Sequence, residues 1–139
     1  MCAAGPNVVA MRRSSILSLV ISTALGIAIV SDGDDDWTGF GTWGLVACAL
    51  VYLVAGLLRA EVRRTRLVWA QVAGAVGFGA VAGIALLVDP EVGRYLVAAG
   101  WLAHAGWDLA HFRANLVVPT WYALACAVVD AFVGVSLAW

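Results

Sequence analysis

Five apolar runs of roughly 20 residues each, the length that crosses a hydrocarbon core of about 30 Å, occupy nearly all of the chain from residue 14 onward. They cover residues 14–31, 41–58, 67–88, 92–112 and 121–139 and are joined by short, charged connectors. The chain has 139 residues, of which 63% are hydrophobic and 12% charged, and its mean hydropathy is +0.94. A water-soluble domain of this size cannot bury that much apolar surface. The expected fold class is therefore an all-α integral membrane protein, a bundle of five transmembrane helices with short connectors. Residues 14–139 form its single membrane domain, with no room for a separate soluble one and no sign of a β-barrel, an internal repeat or a low-complexity segment.

Residues 1–13 show no apolar periodicity before Met11-Arg12-Arg13 and read as a disordered cytoplasmic tail, with Met11 an alternative start. The first run resembles either a span or a signal-peptide core. It is long for the latter, and Ile29, Val30 and Ser31 make a poor cleavage site, so an uncleaved span is expected. The acidic segment Asp32 to Asp36 lacks the spacing of a calcium loop, including the acidic residue at loop position 12, and reads as a solvated connector.

Arginine sets the expected orientation, because cytoplasmic flanks of spans collect positive charge. Arg12, Arg13, Arg59, Arg63, Arg64, Arg66 and Arg113 fall on one side of the alternating connectors, leaving only Arg94 of the 8 basic residues on the other. That other side carries Asp32, Asp34, Asp35, Asp36, Asp89 and Glu91. The amino terminus is expected in the cytoplasm and the carboxyl terminus outside, in the inner or plasma membrane of the cell. The lipid bilayer is the first partner; the cluster from Arg59 to Arg66 is a topology signal rather than a nucleic-acid site.

Trp37, Phe40 and Trp43 at one run and Trp121 and Trp139 at another stand where an interfacial aromatic belt belongs. Pro90, flanked by Asp89 and Glu91, suits the first turn of the fourth helix. In the third run Ala75, Gly79 and Gly83 recur every four residues, with Ala73 and Gly77 beside them. Such spacing lets helix backbones approach closely and suggests a homo-oligomer or a larger membrane complex. Cys2, Cys48 and Cys126 have no metal or redox spacing.

Ionisable residues recur at helical spacing in one apolar run only, Trp101-Leu-Ala-His-Ala-Gly-Trp-Asp-Leu-Ala-His-Phe-Arg113. Trp101, His104, Asp108 and His111 share one stripe of a helix. On the fifth run Tyr122, Cys126 and Asp130 form a second stripe. Counted from the cytoplasmic ends at 1.5 Å per residue, His104 lies about 12 Å deep and Asp130 about 13 to 14 Å deep, so the two should meet on neighbouring antiparallel helices. The expected polar seam comprises His104, Asp108, His111 and Asp130, with Tyr122 or Cys126 lining its cytoplasmic side and Trp101 closing its outer side. Trp107, within the same run, reads as a packing residue.

A charged side chain at the bilayer centre costs roughly 2.5 to 3.5 kcal/mol, so the seam needs a reason. Simple gluing of helices is one, although such hydrogen bonds are worth only about 0.6 kcal/mol on average. A proton or solute path through His104, Asp108, His111, Asp130, Tyr122 and Trp101 is another, since carboxylates and histidines in series make a relay. A third is a transition-metal site built from His104, Asp108, Asp130 and His111. His104 and His111 are about 10.5 Å apart along the axis and cannot clasp one haem between them.

No metalloprotease, P-loop, dinucleotide or nucleophile-elbow motif appears. Three classes of function follow: a small membrane protein that handles a proton, metal ion or small solute in transport, a non-catalytic accessory or assembly subunit, and a metal-dependent membrane enzyme. The last would require an open coordination position.

Overall fold

The computed structural model describes residues 6–31, 37–58 and 65–139, and among them every regular element is helical. Five α-helices follow in order: α1 Pro6–Ser31, α2 Thr42–Leu58, α3 Thr65–Ala85, α4 Pro90–Ala114 and α5 Thr120–Ala138. A short π-helical turn, Trp37–Gly41, runs directly into α2, and the Thr42 hydroxyl donates to the Trp37 carbonyl at 2.6 Å. Helix α1 begins at Pro6, ahead of the expected start at Ser14; a first-turn proline has no amide hydrogen bond to lose. Cys2, the acidic Asp32 to Asp36 segment and the connector from Arg59 to Arg64 lie outside the described residues.

Among the described residues, three stretches are long and apolar enough to cross a membrane: Trp37–Leu58, Arg66–Ala85 and Thr120–Ala138. Within α1 the apolar run is described in full over the shorter Ile16–Ala28. Helix α4 is long but falls outside this group, because it carries the His and Asp stripe together with Glu91, Arg94 and Arg113.

The ends of α4 follow from local chemistry. Asp89 caps it by accepting the Glu91 amide at 3.0 Å, and Pro90 fills the first turn. Arg113 lies in its last turn, where positive charge suits the helix dipole. Asn115 then stops it in the left-handed conformation, φ 50°. Two residues later Val117 also has positive φ, 68°, in a three-residue turn closed by the Val118 amide on the Leu116 carbonyl at 2.8 Å. A β-branched residue rarely adopts that conformation, and Val117 is held in it while almost completely buried.

Helices α4 and α5 form the central pair, with α1 packed against α5 and with α3 and α2 packed against α4. The pair is antiparallel. Arg94 Nη1 near the start of α4 donates to the Leu137 carbonyl at 2.7 Å, which satisfies an acceptor left open at the end of α5. Further along, Gly134 lets the backbones close up: a Cβ there would stand 2.8 Å from Leu102 Cγ and 3.1 Å from the Ala98 carbonyl.

Two separate apolar layers result. The first contains Leu45, Val97, Ala98, Trp101, Val133 and Leu137. The second contains Tyr52, Val117, Val118 and Ala123. On α4 and α5 alike, the residues between these layers form a band that includes His104, Asp108 and Asp130.

Candidate cation site between two apolar layers

His104 and Asp108 are wholly inaccessible and Asp130 is 1% exposed. Four-residue spacing brings His104 and Asp108 onto one face of α4, and the antiparallel α5 presents Asp130 at the same level. His104 Nδ1 donates to Asp130 Oδ2 at 2.7 Å. The same nitrogen is 3.7 Å from Asp108 Oδ1, beyond hydrogen-bonding range. One ligand atom from each of the three residues lies within 4.8 Å of the other two.

Most of the polar atoms facing this band are unsatisfied. Both Asp108 oxygens, His104 Nε2 and the Tyr52 hydroxyl are buried without a hydrogen bond. The Tyr52 hydroxyl lies close to the Asp108 carboxyl. The rings of Tyr52 and Phe78 pack edge-on against the His104 imidazole at 5.7 and 4.8 Å between centroids. Even with His104 positively charged, two ionised carboxylates leave one negative charge without compensation, in surroundings where an unpaired charge costs several kcal/mol. Balancing that charge takes either a proton on one carboxyl group or a bound cation.

His111 is separate from it. Its Nδ1 donates to the Trp107 carbonyl at 2.9 Å, and its Nε2 accepts from Gln71 Nε2 at 2.9 Å. A carbonyl can only accept, so this pairing places the hydrogen on Nδ1 and leaves Nε2 as the acceptor. The ring also packs against Tyr52 and Trp107 at 4.7 and 5.0 Å. Seven residues advance α4 by two turns, which carries His111 out of reach of His104. His111 therefore shares the stripe but has its own partners.

The remaining seam residues have distinct places. Trp101 lies in the first layer, where its Nε1 donates to the Gly41 carbonyl at 2.7 Å and its ring stacks with Phe40 at 6.2 Å. Tyr122 is half-buried beside Cys126, packs on the second layer and meets the Trp121 ring. Cys48 and Cys126 are free, half-buried thiols. Trp107 bridges α3 and α4 by contact with Phe78 and with the backbone at Gly74.

Tyr52 and Gln71 are the two residues that the stripe analysis missed. Each had a signal: Tyr52 is an aromatic hydroxyl far from the ends of its run, and Gln71 is the lone amide side chain in the third run.

Comparison with protein-family models, curated proteins and solved structures finds no significant match to this chain.

Proposed function

We propose that the chain is a five-span integral membrane protein of the inner or plasma membrane, amino terminus in the cytoplasm and carboxyl terminus outside, in which His104, Asp108 and Asp130 bind and release a cation inside the bilayer. The observation that carries this reading is Asp108, a fully buried carboxyl group with neither oxygen hydrogen-bonded. A group that only glued helices together would be bonded across the interface, as Asp130 is.

The distribution of side chains supports a membrane setting. The interior holds His104, Asp108, Asp130, Gln71, Thr42 and Ser22, whereas Leu58, Val76, Trp69 and Leu17 are 60% exposed or more. Such an arrangement is unfavourable in water and suits hydrocarbon, where polar groups must turn inward. With α4 turned so that its stripe faces α2, α3 and α5, its charged residues do not prevent it from spanning.

Reconstitution into liposomes tests the reading. Cation-dependent flux, followed with a pH-sensitive and a metal-sensitive dye inside the vesicles, is expected from wild type and lost in Asp108→Asn. Equal flux from the two proteins would end it.

A second reading is that the chain is a subunit of a larger assembly or a homo-oligomer. It draws on α3, where Gly77, Gly79 and Gly83 have no neighbouring atom against the place a Cβ would occupy. A helix glycine costs about 1 kcal/mol relative to alanine, and close approach by another helix supplies a reason. A stoichiometric partner retained in mild detergent would favour this reading.

A further inference from the structure

We infer that the cation is a divalent transition metal of the manganese, iron, cobalt and zinc class, held by His104 through Nδ1 and by one carboxylate oxygen each from Asp108 and Asp130. The inference rests on the reading of this cluster as a cation site and gives that site its ligand.

Convergence carries the argument. A proton shared between His104 and Asp130 would use only the 2.7 Å contact and leave Asp108 idle. Instead Asp108 is turned onto the same nitrogen at 3.7 Å, with both of its oxygens unengaged. Metal bonds to nitrogen and carboxylate oxygen are about 2.0 to 2.2 Å, so two ligands separated by 90° to 120° stand roughly 3.0 to 3.7 Å apart. The 3.7 Å pair already fits that span. The 2.7 Å pair needs to open by a few tenths of an ångström as its hydrogen bond gives way to two metal bonds.

Charge and donor type narrow the class. A neutral imidazole and two carboxylates carry two negative charges, which one divalent ion balances in a site where the two carboxylates have no ion-pair partner but His104 among the described residues. Calcium takes six to eight oxygens and magnesium a near-octahedral oxygen shell, and neither favours nitrogen. Copper(I) prefers sulfur, but Cys48 and Cys126 fall outside the ligand group. One nitrogen and two oxygens suit the borderline ions. Three protein ligands leave a position for water or for the Tyr52 hydroxyl beside Asp108. With Nδ1 on the metal, the imidazole proton sits on Nε2, the buried ring nitrogen that makes no hydrogen bond in the metal-free arrangement.

The test uses the full chain purified in detergent, stripped with a chelator and titrated with cobalt(II), whose visible absorption reports ligand number. Zinc content after equilibration and desalting is measured in parallel by elemental mass spectrometry. One ion per chain is expected for wild type and for His111→Ala, with affinity lowered roughly a hundredfold or more in Asp108→Asn and His104→Ala. Asp130→Asn keeps an acceptor for His104 while removing a charge, so its loss of binding separates coordination from folding. Wild-type affinity in Asp108→Asn overturns the inference. Absence of cobalt and zinc binding in wild type also overturns it; if Asp108-dependent proton flux persists in liposomes, the cation-site reading survives, and without that flux both fall.

Discussion

His104 and Asp130 meet at 2.7 Å on two antiparallel helices, while Asp108, one turn from His104 on its own helix, has no hydrogen bond of regular geometry and lies beside the Tyr52 hydroxyl. The two carboxylates therefore have opposite consequences when neutralised. Asp130→Ala should destabilise the protein by about 1 to 3 kcal/mol, the cost of a buried polar group left without its partner. Asp108→Asn should leave metal-free stability unchanged or raise it, because an uncompensated charge disappears and no hydrogen bond is lost. Thermal unfolding of chelator-treated protein in detergent measures both, and equal losses would contradict the pairing.

The α4 and α5 alignment depends on Gly134. An added methyl group would meet Leu102 and the Ala98 carbonyl, so Gly134→Ala should cost about 1 to 3 kcal/mol through overpacking. Gly106, exposed on the same α4, has open space where its Cβ would lie. Gly106→Ala should instead stabilise by up to about 1 kcal/mol through helix propensity. Melting temperatures of the two variants should move in opposite directions.

His111 and Gln71 form a unit apart from the cation cluster. Gln71→Leu leaves His111 Nε2 without its donor and should cost about 1 to 3 kcal/mol. Cobalt affinity should be unchanged. A large loss of affinity in this variant would join the two halves of the stripe that the structure separates.

At Val117, strain and burial oppose each other. Val117→Ala removes buried surface but keeps a Cβ at φ 68°, whereas Val117→Gly loses one further carbon and relieves backbone strain of about 1 to 3 kcal/mol. Glycine should therefore be the milder substitution, by about 1 kcal/mol or more in chemical denaturation. The usual order, with alanine milder, would show the turn to be unstrained.

The number and order of the helices were legible because apolar runs of spanning length separated by charged connectors leave little else to build. Equal depths of His104 and Asp130 followed from helical rise alone, since a short connector makes α4 and α5 antiparallel neighbours. Periodicity could not divide the stripe. His104 and His111 share a face, but α5 provides a partner for one and α3 for the other, and the rotation of α3 that delivers Gln71 depends on packing. Tyr52 was hidden for the same reason, as a single polar atom in an apolar helix has no period. The early start of α1 and the π-helical turn at Trp37–Gly41 are backbone choices that hydropathy does not encode.

The placement of the His and Asp cluster between two apolar layers has an electrical consequence. In the proposed five-span arrangement a membrane potential falls mainly across those layers, not across water. Transfer of one elementary charge through the full drop is worth about 2.3 kcal/mol per 100 mV. A divalent ion that reaches His104, Asp108 and Asp130 from either face carries two charges across roughly half of it, about 2.3 kcal/mol, or about a fiftyfold change in affinity for each 100 mV. Occupancy would then depend on the membrane voltage as well as on concentration, and an energised cell and a de-energised one would fill the same site to different extents.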